Sequence, residues 1–342
     1  MVSVAGRKSF GILGTGSAVP ERILTNAELE TMVDTSDEWI VSRTGIRERR
    51  IAAEGTSSST LAHLAAKAAL EDAKLQANEI DLILCATVTP DMAFPATACI
   101  LQDLLGLERI PAFDLSAGCS GFGYALSVAE SMLRSGPYKK AMVVGVDLLS
   151  RITDYEDRST CVLFGDGAGA AILGQVPQGF GILAIELGAD GAGGHVLQQP
   201  AGGSLRPASR ASVEERQHYI KMQGSDVFKF AVRIMDESTK RVVTKAGLEL
   251  SEVDLVIPHQ ANTRIISAAA NRLGIPEEKF FVNVDRYGNT SAASIGLALD
   301  EANRSGQLKE GAHLVLVGFG AGLTWSATVI TWWAGGLNDA AL

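Results

Sequence analysis

The chain has 342 residues, of which 46% are hydrophobic and 20% charged, and its net charge is −9. This composition is typical of a globular protein with a sizeable core and excludes an extended disordered chain. Proteins that bind nucleic acids or anionic membranes are more often basic, so the acidic balance disfavours both kinds of partner.

The spacing of apolar residues predicts alternating strands and helices along the first half of the chain. Helices should begin near Thr25 and Asp34 and should cover 57–77, 95–105 and the stretch after Tyr124. The expected strands are 9–16, 80–88, 112–115, 141–146, 161–164 and 171–173, the last two flanking a glycine-rich turn at 165–170.

The second half shows the same alternation after a polar loop rich in Gly, Ser and Pro at 190–216. The expected helices are 226–246, 263–273 and 292–304, and the expected strands are 181–187, 253–258, 281–284, 314–317 and 324–331. The uncharged stretch 313–337 is long enough to cross a bilayer. Its glycines favour two buried strands joined by a turn instead.

The two halves resemble each other at a spacing of about 170 residues. The segment 79–83 (EIDLI) is matched by 252–256 (EVDLV), and 143–145 (VVG) is matched by 316–318 (LVG). Such a repeat predicts a duplicated βαβαβ unit, with halves at 1–175 and 176–342. Alternating strands and helices favour mostly parallel sheets, here in a five-layer α/β/α/β/α sandwich.

The four cysteines, Cys85, Cys99, Cys119 and Cys161, form no CxxC or Cys/His cluster, which disfavours a zinc site. Their wide spacing without a signal peptide predicts free thiols in a reducing cytoplasm.

Cys119 lies where a predicted strand turns into a predicted helix. A helix N-terminus favours negative charge, so we expect its thiol pKa to be lowered and iodoacetamide or acyl-CoA to modify it first. A small buried cysteine at a tight turn is an equally open interpretation of this segment alone.

Two further polar residues follow predicted elements in the second half. His259 comes directly after the strand 253–258, and Asn289 stands at the repeat position of Cys119, just before a helix. Ligands bind beyond the carboxyl ends of parallel strands. We therefore expect Cys119, His259 and Asn289 to share one cleft.

Five motifs in this order resemble the β-ketoacyl-acyl-carrier-protein synthase III family, the thiolase-fold condensing enzymes that initiate bacterial fatty acid synthesis. They are Trp39 with 43–46 (RTGI), 117–121 (AGCSG), 164–169 (FGDGAG), 259–262 (HQAN) and 288–292 (GNTSA). The resemblance runs from about residue 11 to residue 332. The tail 333–342 lies outside it and has no expected role.

The resemblance implies a Cys-His-Asn triad of Cys119, His259 and Asn289. Cys119 would accept a short acyl group, most simply acetyl, from acyl-CoA, with the backbone N–H groups of Cys119 and Gly320 as the oxyanion hole. A decarboxylating Claisen condensation with malonyl-acyl carrier protein would then give a 3-oxoacyl-acyl carrier protein. His259 and Asn289 would stabilise the enolate, and neither a metal nor another cofactor is expected.

The resemblance also implies roles for residues around the triad. Trp39 and Arg158 would stack on the CoA adenine with Arg43 near the phosphates, although Arg43, Arg47, Arg49 and Arg50 are equally consistent with a solvated surface. Met222, Gly224, Phe228 and Asn262 would line the pantetheine tunnel. Phe94, reaching across a homodimer, and Phe319 would form the acyl pocket, with ordinary packing an equal alternative for Phe94.

Acyl carrier protein, itself acidic, would dock on a local basic patch. The resemblance implies Lys229 and Arg264 for this role, and helical spacing adds Arg233, Lys240 and Arg272, for which a solvated face is an equally open interpretation.

Three alternative functions share some of these features. A starter-unit-loading relative of a polyketide pathway would share every motif and differ in its acyl pocket. A papain-type hydrolase would lack the duplicated pattern, and a non-enzymatic subunit would carry a damaged triad.

Overall fold

The computed structural model describes residues 8–335. The strands are β1 Ser9–Ala18, β2 Ile23–Thr25, β3 Glu48–Arg50, β4 Leu82–Ala86, β5 Ala112–Leu115, β6 Ala141–Leu148, β7 Asp166–Val176, β8 Gly181–Ala189, β9 Leu197–Gln198, β10 Lys221–Met222, β11 Leu255–Pro258, β12 His313–Gly320 and β13 Thr324–Thr331. The helices are α1 Asn26–Leu29, α2 Asp37–Thr44, α3 Ser58–Ala73, α4 Thr97–Leu104, α5 Gly121–Ser135, α6 Arg158–Cys161, α7 Arg210–Glu214, α8 Gly224–Ala246, α9 Thr263–Leu273, α10 Val284–Tyr287 and α11 Ala293–Arg304.

Two large sheets are built with the same strand order. The first runs β5-β4-β6-β7-β1, with β4 parallel to β5 and β6 and with antiparallel pairing of β7 to β6 and β1. The second runs β11-β12-β13-β8, with β11 and β12 parallel and the other pairs antiparallel. A parallel bridge between Val256 and Phe280 occupies the place that β5 has in the first sheet.

Five layers follow from where the apolar faces pack. The central core joins α5 and α11 to the inner faces of both sheets. The outer face of the first sheet is covered by α3 and α4, and that of the second by α8 and α9. The predicted α/β/α/β/α sandwich of two similar halves is therefore confirmed.

Three local expectations are wrong. Each sheet is mixed rather than mostly parallel. The glycine-rich stretch 165–170 is not a turn between two strands, since most of it lies inside the continuous strand β7 after the short helix α6. The expected strand 281–284 is reduced to the bridge at Phe280, and α10 begins at Val284.

Close packing explains the glycines in β7. A Cβ on Gly169 would lie 2.4 Å from the carbonyl carbon of Gly296 in α11, closer than non-bonded atoms approach. The absence of side chains at these glycines lets the central helix lie directly on the sheet. A glycine-rich sequence is also typical of a turn, so the sequence alone does not distinguish the two structures.

The stretch 313–337 begins with the paired strands β12 and β13, as expected. Within residues 8–335, no helix has the length and apolar character needed to cross a membrane. Most of the tail 333–342 lies outside the described residues.

Candidate active site

Cys119 lies in a single 3-10 turn, Gly118–Ser120, between β5 and α5. Gly118 has φ of +54°, and a Cβ there would lie 2.8 Å from the backbone nitrogen of Ala321. A Cβ on Gly320 would lie 2.4 Å from the backbone nitrogen of Cys119. Glycines at both positions thus let the end of β12 lie against the cysteine, which brings the two backbone groups expected in the oxyanion hole side by side.

His259 and Asn289 meet Cys119 around one cavity of about 160 Å³. The backbone N–H of His259 donates to Val317 O at 2.8 Å, which fixes the histidine just beyond β11. The backbone N–H of Asn289 donates to Leu163 O at 2.8 Å. The shared cleft expected from the two halves is present in the structure.

Neighbouring polar groups determine which atoms of these side chains face the cavity. Nδ1 of His259 is hydrogen-bonded to Ser294 Oγ at 2.6 Å, which leaves Nε2 as the free ring nitrogen. Oδ1 of Asn289 accepts from the Ser291 backbone N–H at 2.9 Å, which leaves its amide N–H groups free. The site therefore offers an imidazole nitrogen and an amide donor.

Burial reverses the pKa expected for Cys119. The side chain is 8% exposed, and removal from water raises the pKa of the Cys119 thiol to about 12, with the Asp147 carboxylate adding to the rise and the Ser291 hydroxyl opposing it. Burial likewise lowers the pKa of His259 to about 3. Both groups are neutral at pH 7, so the expectation of a resting thiolate is wrong.

A second cavity of about 150 Å³ lies on the other side of Cys119. Its walls are mainly apolar and include Val88, Leu149, Ile152 and Ile220. Cys119 borders both cavities; the first, which is lined by the expected pantetheine residues, is called the tunnel, and the second is called the chamber.

The two aromatic residues expected around the acyl group are placed differently. Phe94 is 84% exposed and borders neither cavity within the single chain. Phe319 is buried in the tunnel wall, where its ring meets the His259 ring edge-on with centroids 5.1 Å apart. Phe319 thus contacts the histidine rather than the chamber.

The residues expected along the pantetheine tunnel, Met222, Gly224, Phe228 and Asn262, all line the cavity that holds the triad. Asn262 also caps α9, accepting from the Arg264 N–H at 2.8 Å and donating to Arg43 O at 3.0 Å. Both polar ends of its amide are therefore engaged in joining α2 to α9.

The expected adenine site is closed in this structure. The Arg158 guanidinium lies 4.2 Å from the centre of the Trp39 ring. Non-bonded carbon atoms lie about 3.5–4.0 Å apart, so a ring between these two side chains would need nearly twice the observed separation, and adenine can enter only if Arg158 moves away from Trp39. Arg43 is exposed nearby, whereas Arg49 is fully buried and donates to Leu24 O, Asn26 Oδ1 and Val162 O.

Of the expected carrier-docking cations, Lys229 and Arg264 flank Phe228 at the cavity. The Arg264 guanidinium lies 5.6 Å from the Phe228 ring centre, and the Lys229 side chain is 77% exposed. Lys240 and Arg272 both pair with the buried carboxylate of Asp236, at 2.5 and 3.6 Å. Lys240 and Arg272 neutralise this buried charge, so these two of the three added cations are less available to bind a partner protein.

Three residues that border the triad were missed from the sequence: Ser291, Ser294 and Asp147. Ser291 stands in the motif 288–292 and Ser294 lies two residues beyond it, so small hydroxyl residues close behind Asn289 were the available signal. Asp147 follows an apolar strand like any strand-end carboxylate, and nothing in its local sequence points to the site.

No candidate metal site is found among the residues that the structure describes. No group of three or more His, Cys, Asp or Glu side chains suited to a metal occurs within residues 8–335.

Comparisons with known proteins show the family to which the chain belongs. A family model described as 3-oxoacyl-[acyl-carrier-protein (ACP)] synthase III matches residues 113–198, and one for the C-terminal part of that enzyme matches residues 243–332. The β-ketoacyl-[acyl-carrier-protein] synthase III of Desulfitobacterium hafniense is 57% identical over 324 residues, covering 95% of this chain and 98% of that protein.

A protein of the same name from Caldanaerobacter subterraneus is 56% identical over 94% of this chain and 97% of its own. Among solved structures, 3-oxoacyl-[acyl-carrier-protein] synthase III from Aquifex aeolicus aligns with a TM-score of 0.87 and 48% identity, over 94% of this chain and 100% of that one.

Proposed function

Since this chain belongs to the 3-oxoacyl-[acyl-carrier-protein] synthase III family, we propose that it initiates fatty acid synthesis with Cys119, His259 and Asn289 as its catalytic groups. It is an acyltransferase of the condensing-enzyme class. The observation that carries the residue assignment is the convergence of the three side chains on one cavity.

In the first half-reaction, Cys119 Sγ attacks the thioester carbonyl of a short acyl-CoA. The new bond joins Sγ to the acyl carbon, the bond from that carbon to the CoA sulfur breaks, and the thiol proton ends on CoA. Because the Cys119 thiol is neutral at rest, its proton must leave during the attack. The neutral His259 ring in the same cavity is the base available to carry it.

The tetrahedral intermediate of that step carries a negative oxygen. The backbone N–H groups of Cys119 and Gly320, which lie side by side, are the donors for it.

In the second half-reaction, malonyl-acyl carrier protein loses CO2, and the electrons of the broken bond form an enolate. In the tautomer whose Nδ1 accepts from the Ser294 hydroxyl, His259 donates its Nε2–H to the negative oxygen together with the Asn289 amide, and this charge grows only toward the transition state. The enolate carbon then bonds to the acyl carbon, the bond from that carbon to Cys119 Sγ breaks, and Sγ takes a proton from water to restore the thiol. The product is a 3-oxoacyl-acyl carrier protein.

The primer is a short acyl group, with acetyl the simplest. A cavity of about 150 Å³ is large enough for benzene, so the chamber behind Cys119 has room for about six carbons at most. In a homodimer joined at the open sheet edge β5, the exposed Phe94, which lies between β4 and α4, would reach the partner's chamber and reduce this space.

The proposal includes a carrier site and a cellular setting. Lys229 and Arg264 beside the tunnel would meet an acidic carrier protein, and Trp39, Arg43 and Arg158 would hold the CoA nucleotide. The chemistry requires no metal or redox cofactor, since cysteine, histidine and backbone donors supply each step. Four widely spaced free cysteines support a cytoplasmic site.

Intact mass spectrometry after incubation with acyl-CoAs of two to eight carbons tests this function. We expect one acyl group per chain from short primers, located on Cys119 by peptide mapping, and none on a Cys119→Ala variant. Acylation of a different cysteine would contradict the assignment, as would equal labelling by every chain length.

A starter-unit-loading enzyme of a polyketide pathway is not favoured, because the relatives described above are named β-ketoacyl-[acyl-carrier-protein] synthase III. A papain-type hydrolase is not favoured either, given the family membership.

A further inference from the structure

Asp147, at the end of β6, is a fully buried carboxylate to which the reaction assigns no role. Resting on the proposed function, we propose that Asp147 is a positioning residue that fixes the Ser291–Ala292 segment against Cys119 and locks that segment to the chamber wall at Val88. Its two oxygens contact two different parts of the active site.

Oδ1 of Asp147 receives every hydrogen bond from the segment that follows β4. The donors are Val88 N at 2.7 Å, Thr89 Oγ1 at 3.0 Å, Thr87 Oγ1 at 3.1 Å and Thr89 N at 3.1 Å. Val88 lines the chamber behind Cys119, and the same segment leads to the exposed Phe94. This oxygen therefore holds one wall of the chamber.

Oδ2 of Asp147 binds the other part, the start of α11. It accepts from the Ala292 backbone N–H at 3.1 Å. A Cβ on Gly145, two residues earlier on the same face of β6, would lie 2.2 Å from Ala292 O, so the glycine lets the segment rest directly on the strand. Ser291 is thereby held beside Cys119 in the chamber wall.

Ser291 links the carboxylate to the nucleophile and to the enolate donor. Its hydroxyl lowers the pKa of both the Cys119 thiol and the Asp147 carboxyl, against the rise that burial causes in each, and its backbone N–H donates to Asn289 Oδ1 at 2.9 Å. Its φ of +50° is unusual for a serine and is retained only if surrounding bonds fix it. Displacing Ser291 would therefore disturb both half-reactions.

The cost of this carboxylate argues against a purely structural role. Within residues 8–335, Asp147 forms no ion pair, and all its contacts are with uncharged donors. An unpaired buried charge is expensive, and an apolar residue often fills such a position at least as stably. The carboxylate is instead suited to joining two segments whose N–H and hydroxyl groups all point inward.

The test compares a variant that removes the Asp147 charge with one that removes only the Ser291 hydroxyl. In Asp147→Asn, the amide oxygen can still accept from residues 87–89, but the amide N–H2 then faces the Ala292 N–H and releases the start of α11. Ser291→Ala removes the hydroxyl without changing the charge. We expect each variant to slow both Cys119 acylation and malonyl decarboxylation by about 10- to 100-fold, the range typical of outer-shell partners.

A second measurement separates positioning from general loss of structure. Burial raises the pKa of Cys119 and the Ser291 hydroxyl lowers it, so the pH profile of Cys119 alkylation by iodoacetamide should move to higher pH in Ser291→Ala. In Asp147→Asn the removed charge and the displaced Ser291 hydroxyl act in opposite directions, so its profile should move to higher pH less than that of Ser291→Ala. The profile is followed by peptide mapping in a Cys99→Ser background, since Cys99 is exposed. His259, the other titratable group in the cavity, remains neutral throughout.

Asp300→Asn is the matched control, a buried carboxylate in α11 that contacts Thr15, Ser17 and Arg304 away from the cavity. It should leave both half-reactions and the alkylation profile unchanged. Unchanged half-reactions in Asp147→Asn, or an alkylation profile of Asp147→Asn that lies at higher pH than that of Ser291→Ala, would overturn the proposal. Alkylation needs no substrate, so failure of the wild-type protein to accept an acyl group would refute the proposed function alone.

Discussion

Helices α5 and α11 occupy equivalent places in the two halves, yet their N-termini are equipped differently. Neither helix has a side-chain cap from its N-cap residue or an acidic residue in its first turn, but Cys119 sits just before α5. The start of α11 is held by Asp147 through the Ala292 N–H and is preceded by Asn289 and Ser291. One copy of the repeated turn thus presents a nucleophile, and the other presents oriented donors.

The difference shows how a duplicated fold can divide one reaction. Since the first half supplies the nucleophile Cys119 and the second supplies the enolate donor Asn289, substitutions of these two residues should affect separate half-reactions, whereas His259 contributes to both.

The largest effect is expected from Cys119→Ala, which should abolish acylation because no other cysteine borders either cavity. The variant should still decarboxylate malonyl-carrier protein, since both enolate donors remain. Acyl transfer is measured by intact mass and decarboxylation by release of labelled CO2. Loss of both activities would show that the halves are not separable in this way.

Removal of an enolate donor should give the next largest effect. Asn289→Ala should slow decarboxylation by about 10²–10³, the usual cost of deleting one preorganised donor, while Cys119 acylation remains nearly unchanged. His259→Ala should lose decarboxylation to a similar extent and also slow acylation, because it removes the base. Decarboxylation at the parental rate in both variants would refute the donor assignment.

Charge reversal at the tunnel mouth should give a moderate effect on one substrate only. Lys229→Glu with Arg264→Glu should raise KM for malonyl-carrier protein by about tenfold or more, with a difference that shrinks at high salt. Acylation by acyl-CoA should not change. Lys245→Glu, in the last turn of the same helix α8, is the matched control. Equal kinetics for the double variant and the control would remove the docking site.

The smallest effect concerns pH. Because the pKa of Cys119 is raised to about 12 and that of His259 is lowered to about 3, neither group changes charge near neutrality. The single-turnover acylation rate should therefore stay level between about pH 5 and pH 9. A rise of tenfold per pH unit would mean that free thiolate attacks without a base. An inflection near pH 7 would mean that a Cys–His ion pair forms instead.

The same burial changes the expected order of cysteine reactivity. From the sequence, iodoacetamide should modify Cys119 first. In the structure Cys99 is exposed and Cys119 is buried, so the small reagent should modify Cys99 faster. Acyl-CoA should still select Cys119, because selection then depends on the tunnel and the oxyanion donors.

Much of the architecture could be predicted because it depends on local pattern. The expected ranges of β5, α9 and β13 match the structure residue for residue, since apolar periodicity and flanking glycines or caps mark their ends. The repeat between the halves identified Asn289 as the counterpart of Cys119. Strand β7 was mispredicted because its glycines are needed for close packing against α11, a helix more than a hundred residues away in the sequence.

The sequence by itself determined the layered fold, the family and the identity of the three side chains around the cavity, since each depends on residue type, order and spacing. Only the tertiary structure decided that Cys119 is a neutral thiol, that Arg49 and Lys240 serve buried partners, and that Asp147 joins the chamber wall to α11. These properties depend on how completely each side chain is removed from water and on which distant backbone groups lie beside it. Neighbouring residues in the sequence determine neither of these.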